Sequence, residues 1–154
     1  METKKIGQPG AGFALKDHNG KEIALQDFKG KKVLLSFHPL AWTKICKLQM
    51  QSLEENLTAF TKLNTVPLGF SVDSVPCKSA WAKDINIQNV SLPCDFWPHG
   101  GVAQKYGLFR EKEGFSERAN VILDEEGKII FYKIYELKEL PDINEVIGFL
   151  ENNK

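Results

Sequence analysis

One uninterrupted apolar run stands out near the first quarter of the chain, VLLSF at Val33–Phe37. A short run with no alternation reads as a parallel strand covered on both faces. Before it, KEIALQDFKGKK carries a short extended piece and a Gly-containing loop. From about Lys44 to Leu63 the spacing changes: Cys46, Met50, Leu53, Leu57 and Phe60 recur at three- and four-residue steps, which predicts one helix. VPLGFSVD at Val66–Asp73 predicts the next strand, and Ser74 suits the cap of a helix that has Pro76 in its first turn. A short strand around Val90–Cys94 and a short helix near Val102–Tyr106 follow. RANVILDEEGKIIFYKIY then places the turn Asp124–Gly127 between two strand-like runs, a hairpin. Ile143, Val146, Ile147 and Leu150 form the stripe of a closing helix. The order βαβαβ, then a hairpin and a helix, predicts an α/β protein with a central mixed sheet flanked by helices and an antiparallel edge. No repeat, low-complexity tract or linker divides residues 1–154, so a single domain is expected.

Composition narrows the possible roles. Twenty basic residues balance twenty acidic ones, and no long block of like charge occurs, which argues against nucleic acid or an anionic membrane as partner. METKKIGQPGAGF lacks the apolar stretch of a secretory signal, and no segment has the length of a membrane span, so a cytoplasmic location is expected. Three cysteines, Cys46, Cys77 and Cys94, are too few and too odd in number for a secreted disulfide scaffold. His18, His38 and His99 do not fall at metal-ligand spacing with them, so neither a metal nor a cofactor is expected.

In α/β sheets, functional groups gather beyond the carboxyl ends of the parallel strands. Cys46 falls there, straight after the first core strand and on the opening turn of a helix. Unpaired backbone N–H groups and the positive end of the helix dipole favour a thiolate at such a position. Cys46 also begins an apolar stripe, however, and free cysteine is among the most buried residue types. Position alone leaves an inert core thiol and an activated nucleophile both open. The neighbours bear on the choice. Pro39 has a rigid ring and no N–H to offer a sulfur, and Thr43 can turn a hydroxyl to the same side of the turn as Cys46.

PLAWTKIC fits the PxxxTxxC signature and resembles the peroxiredoxins, the thiol peroxidases of the thiol-specific antioxidant and alkyl hydroperoxide reductase superfamily. The resemblance runs along nearly the whole chain, through FALKDHNGKEIALQDFKGKKVLLSF, FSVDS, DFWPHGGVAQKYGLF and SERANVILDEEGKI. It implies a thioredoxin-like fold and reduction of hydrogen peroxide and organic hydroperoxides at a peroxidatic cysteine. Carried onto this chain, Cys46 is the nucleophile, Thr43 and Arg118 hold the peroxide, and Pro39 shields the sulfur. The resemblance also implies a thioredoxin- or glutaredoxin-like electron donor and makes a homodimer plausible, with Trp42, Phe96 and Trp97 as core, pocket wall or contact surface. Gln49 departs from the glutamate common at its place, which opens the question of charge balance near Arg118. Lys44 either adds positive potential or points to water.

The sulfenic acid formed at Cys46 must be reduced, by an external thiol or by a second cysteine. Cys77, at the start of the helix after Val66–Asp73, is the leading candidate; Cys94, after Pro93, is the other. A peroxide sensor or relay using the same Cys46 chemistry with little turnover is the alternative function. A thioredoxin-type disulfide reductase is disfavoured, because the four-residue window opening at Cys46 ends in Gln49 rather than in cysteine.

Overall fold

The computed structural model describes residues 4–154. Its centre is a four-stranded sheet made of β3 (Lys32–Phe37), β4 (Thr65–Phe70), β7 (Arg118–Leu123) and β8 (Ile129–Tyr135), in the spatial order β4-β3-β7-β8. β3 runs parallel to β4, with Leu35 opposite Leu68, and antiparallel to β7, with Leu35 also opposite Val121. Every residue of β3 and β7 is buried, as a run without alternation requires.

Each face of this sheet carries its own apolar layer, because successive side chains of a strand point to opposite sides. Leu34 and Ile122 point into a layer with Met50, Leu53, Phe60, Trp81, Val146 and Leu150, contributed by α1 (Lys44–Glu55), α2 (Leu57–Lys62), α3 (Val75–Asp84) and α5 (Ile143–Asn152). Leu35, Phe37, Val121 and Leu123 point the other way, toward Phe13, Phe70 and Tyr106. That second face is closed by the hairpin β1 (Ala14–Lys16) and β2 (Glu22–Ala24) and by α4 (Gly101–Lys105). Asp17 folds the β1–β2 turn by accepting from the N–H groups of Asn19 and Lys21, and Gly20 supplies the positive φ of +77°. A small hairpin, β5 (Phe109–Arg110) with β6 (Phe115–Ser116), delivers the chain to β7.

Three expectations need correction. The helix read from Lys44 to Leu63 is broken at Asn56, which has φ −106° and ψ 14°. There the Asn56 side-chain amide donates to the Ser52 carbonyl at 2.8 Å, a local bond that competes with the helical ladder. The segment Val90–Cys94 is extended but makes only isolated bridges, Leu68 to Ser91, Ser71 to Cys94 and Asp17 to Pro93. Pro93 has no N–H to continue a ladder. β4 itself ends at Phe70, so Ser71–Asp73 leave the sheet and free their side chains for other partners. Lastly, the antiparallel part of the sheet is not confined to an edge, since β7 lies between β3 and β8. Hydrophobic periodicity marks a buried strand but carries no information on its neighbours. The expected hairpin, the helix capped by Ser74 and the closing helix are all present.

Gly69, in β4, lets α1 approach the sheet closely. A Cβ there would collide with the Met50 sulfur and come within 2.8 Å of a Leu92 methyl. Gly69→Ala is therefore expected to lower stability by about 1–3 kcal/mol through overpacking. Urea unfolding checks this, and an unchanged midpoint would show that Met50 repacks freely.

Candidate active site

The chain leaves β3 at Phe37 and reaches α1 through His38–Thr43, a loop that lies at the carboxyl end of the strand. Pro39 is buried and Trp42 is exposed with a φ of +68°. Thr43 occupies the cap position of α1 without capping it; its hydroxyl instead donates to the Leu40 carbonyl at 2.7 Å. Cys46 follows on the first turn and is 1 % exposed. Lys44 is exposed and points to water.

Arg118 enters from the start of β7. Although 72 residues separate the two in sequence, its Nη1 lies 3.3 Å from Cys46 Sγ. The guanidinium is 4 % exposed and its remaining donors are held firmly. Nε and Nη2 both donate to the Leu137 carbonyl, at 3.0 and 2.8 Å, and Nη1 also donates to Gln49 Oε1 at 2.8 Å. Among the described residues, no ion pair places a carboxylate on Arg118. This settles what Gln49 does in place of a glutamate. It offers Arg118 a neutral acceptor, and its amide donates onward to Ser36 Oγ at 2.8 Å and to the Phe37 carbonyl at 3.1 Å. Ser36 donates to Asn120, which reaches Tyr135, which donates to Glu145 at the start of α5. A polar thread thus runs from the sulfur across the sheet to the closing helix.

Cys77 and Cys94 have different surroundings, and all three cysteines are free. Cys94 is buried, its thiol donates to the Leu92 carbonyl at 3.6 Å, and burial pushes its pKa up to about 11. Cys77 is half-buried at the start of α3, where its thiol donates to Asp73 Oδ1 at 3.6 Å. Burial, followed by the charge and hydrogen bond of Asp73, raises its pKa, while Trp42 and Lys78 act in the opposite sense.

Sequence reading missed the groups beneath this loop. Lys78 is completely buried, and its ammonium contacts Ser71 Oγ at 2.7 Å, His38 Nε2 at 3.1 Å and the Gly69 carbonyl at 3.2 Å. Burial pulls its pKa down to about 8. His38 is also fully buried, its pKa pushed well below the usual range by burial and then by the Lys78 charge, and its Nδ1 has no partner. It is a neutral spacer under the loop. Asp73 accepts from Ser71 Oγ at 2.6 Å and from the Ala41 N–H at 2.8 Å. The one sequence hint was SVDS itself, a strand end that puts three polar residues, Ser71, Asp73 and Ser74, where the ladder stops. A groove of about 500 Å³, lined by residues including Phe13, Phe28, Val33, Leu123 and Glu125, lies at the opposite end of β3 and has no part in this site.

A buried thiol beside a guanidinium, on the first helical turn after a core strand of this fold, defines a thiol-based redox protein. Residues 6–132 match the model of the AhpC/TSA family, and the chain belongs to that family, the peroxiredoxins, which are thiol-dependent peroxidases. It is 35 % identical over 138 residues to alkyl hydroperoxide reductase E of Mycobacterium tuberculosis, covering 89 % of this chain and 90 % of the relative. It is 31 % identical over 139 residues to peroxiredoxin-1 of Gekko japonicus, covering 88 % and 70 %. Among solved structures, the reduced 2-Cys peroxiredoxin of Plasmodium vivax superposes with a TM-score of 0.87 at 26 % identity, covering 96 % of this chain and 81 % of that one. AhpC of Enterococcus faecalis matches the fold with a TM-score of 0.88 at 24 % identity, covering 96 % and 91 %.

Gln49→Leu removes the link between Arg118 and Ser36 while keeping the volume. Buried partners left unsatisfied at Ser36, Phe37 and Arg118 are expected to cost about 1–3 kcal/mol of stability. The loosened guanidinium should slow Cys46 oxidation roughly tenfold, equivalent to about 1.4 kcal/mol in the barrier. Urea unfolding and competition kinetics with peroxide read the two effects separately, and an unaltered oxidation rate would reduce Gln49 to a packing residue.

Proposed function

We propose that this chain is a two-cysteine peroxidase in which Cys46 is the peroxidatic residue, Arg118, Thr43 and Pro39 complete its site, and Cys77 resolves the oxidised sulfur. The observation that carries the reading is the 3.3 Å approach of a buried, carboxylate-free guanidinium to a buried sulfur. A buried cation is costly unless a negative group pairs with it. The sulfur is the neighbour able to supply that charge.

The chemistry follows from these positions. The Cys46 thiolate attacks one oxygen of the hydroperoxide, the O–O bond breaks, and sulfenic acid and an alcohol or water result. Negative charge grows on the departing oxygen, where the planar donors of Arg118 can receive it. Thr43 has its hydroxyl hydrogen committed to Leu40, so toward substrate it presents an acceptor, suited to the peroxide O–H. Buried Pro39 covers the sulfur without offering it a proton.

Resolution by Cys77 is supported by its half-exposed place at the start of α3, on the same rim of the sheet as Cys46. Cys94 is the weaker candidate because its thiol is buried and tied to the backbone. Cys46 is buried on the first turn of α1, and in this reading that turn unwinds to expose its sulfur to Cys77. An external dithiol of thioredoxin or glutaredoxin type then reduces the bridge. We further propose that residues 1–154 act as one domain, that the protein works in the cytoplasm, and that exposed Trp42, Phe96 and Trp97 form part of a homodimer contact. No helix among the described residues is long and apolar enough to cross a membrane.

Cys46→Ser should abolish peroxide-dependent thiol oxidation without loss of the fold; full turnover in the folded variant would overturn the assignment. One equivalent of peroxide should consume two thiols and give a Cys46–Cys77 bridge on peptide mapping, whereas Cys77→Ser should stop at sulfenic acid and overoxidise sooner. A mapped Cys46–Cys94 bridge, or a persistent sulfenic acid with the other thiols free, would remove Cys77 from the cycle. Arg118→Lys should slow Cys46 oxidation, because a point charge replaces a fork of donors.

A further inference from the structure

Four polar groups form a continuous chain beneath the loop that precedes Cys46. The Cys77 thiol donates to one carboxylate oxygen of Asp73; the other oxygen accepts from Ser71 Oγ and from the Ala41 N–H. Ser71 in turn accepts from the buried Lys78 ammonium at 2.7 Å. One carboxylate therefore holds the Cys77 hydrogen and the backbone of the peroxide loop at once, and a buried cation backs it through a single hydroxyl. Nothing in the peroxide-reducing step uses this arrangement, since Asp73 and Lys78 touch neither Cys46 nor Arg118.

We propose that Asp73 is the catalytic base of the resolving step, taking the Cys77 proton as the disulfide forms, with Lys78 as a positioning residue that acts on it through Ser71. The inference rests on Cys77 being the resolving thiol. In the reduced protein burial, and after it the Asp73 carboxylate, keep Cys77 protonated, so Cys77 is a poor nucleophile toward peroxide while Cys46 is oxidised first. When the first turn of α1 opens and brings the Cys46 sulfenic acid to Cys77, the Cys77 sulfur attacks the Cys46 sulfur. The S–S bond forms and the S–O bond breaks. The Cys77 sulfur is oxidised and the sulfenic sulfur is reduced by the same electron pair. The proton passes from Cys77 to Asp73 and then to the departing hydroxide, which leaves as water. The buried ammonium offsets the charge of Asp73 before transfer, and its hydrogen bond fixes Ser71 and with it the orientation of the carboxylate. Asp73 also releases or keeps Ala41, so proton transfer and loop opening share one group.

The charged and titratable groups acting on Cys77 are Asp73 and Lys78, with the Cys94 thiol also within electrostatic reach. Burial pulls the pKa of Lys78 down to about 8, so its charge declines as pH rises through that value. This makes the pH profile of resolution a direct readout. After one equivalent of peroxide, the sulfenic acid is trapped with a dimedone-type probe and the Cys46–Cys77 disulfide is quantified by mass spectrometry at successive quench times. With Asp73 as base no hydroxide is needed, so between about pH 5.5 and 7.5 the wild-type rate of disulfide formation should change less than about twofold. Asp73→Asn retains the shape and an acceptor for Ala41 but no base. Its resolving rate at neutral pH should fall at least about tenfold relative to Cys46 oxidation in the same samples, and should rise about tenfold per pH unit as solvent deprotonates the thiol. An Asp73→Asn protein with the wild-type rate and profile would overturn the proposal. If that variant fails to fold, the wild-type profile decides, because a tenfold rise per unit there means that the base is hydroxide. Absence of a Cys46–Cys77 bridge in the wild type fells the underlying reading together with this one, whereas a bridge formed at an unchanged rate in Asp73→Asn fells this one alone.

Discussion

A guanidinium with 4 % exposure is a demanding guest, and the fold around Arg118 is arranged to host it. Its donors must be satisfied in a place where water cannot serve, and its charge must meet an opposite one. Leu137 supplies a carbonyl from beyond β8, Gln49 an amide oxygen from α1, and Cys46 a sulfur one turn earlier on that helix. These three elements come together only if β7 sits beside β3, so that the strand leading to Cys46 and the strand bearing Arg118 end at one rim. Sheet order, helix start and loop course are therefore coupled through one side chain.

The thread from Gln49 through Ser36, Asn120 and Tyr135 to Glu145 extends this coupling across the sheet. Buried polar groups in a chain are costly if any member is lost, which makes such a thread a strong constraint on geometry. It gives Arg118 a fixed position beside the Cys46 sulfur. The Cys77 side is built differently, on a half-exposed thiol, a carboxylate and a loop N–H. One half of the centre is buried and densely bonded, and the other borders solvent.

Much of this was legible in the sequence because it is written locally. Cys46, Thr43 and Pro39 lie within eight residues, VLLSF declares a doubly buried strand, and Ser74 with Pro76 announces a helix start. Arg118 was placed through resemblance, since nothing in its own neighbourhood distinguishes it from a surface arginine. Asp73, Ser71 and Lys78 escaped notice for a physical reason. Lysine inside a helix is ordinarily solvated, and its complete burial is imposed by Gly69, Ser71 and His38, which belong to other elements. The break at Asn56 was hidden as well, because apolar spacing continues through it while a side-chain amide takes over a backbone carbonyl.

Trp42 adds a consequence of its own. A bulky residue with a φ of +68° sits in a region that costs an L-residue roughly 1–2 kcal/mol, and here that cost is borne by the loop carrying the sulfur toward its helix. The neighbouring Ala41 N–H, fastened to Asp73, holds the loop in this conformation. Each 1.4 kcal/mol of difference changes an equilibrium about tenfold, so an opening that relaxed Trp42 would be favoured roughly five- to thirtyfold over that of an unstrained loop. That strain weights the loop toward opening before any substrate arrives, so a backbone angle at an exposed tryptophan bears on how readily the buried sulfur is uncovered.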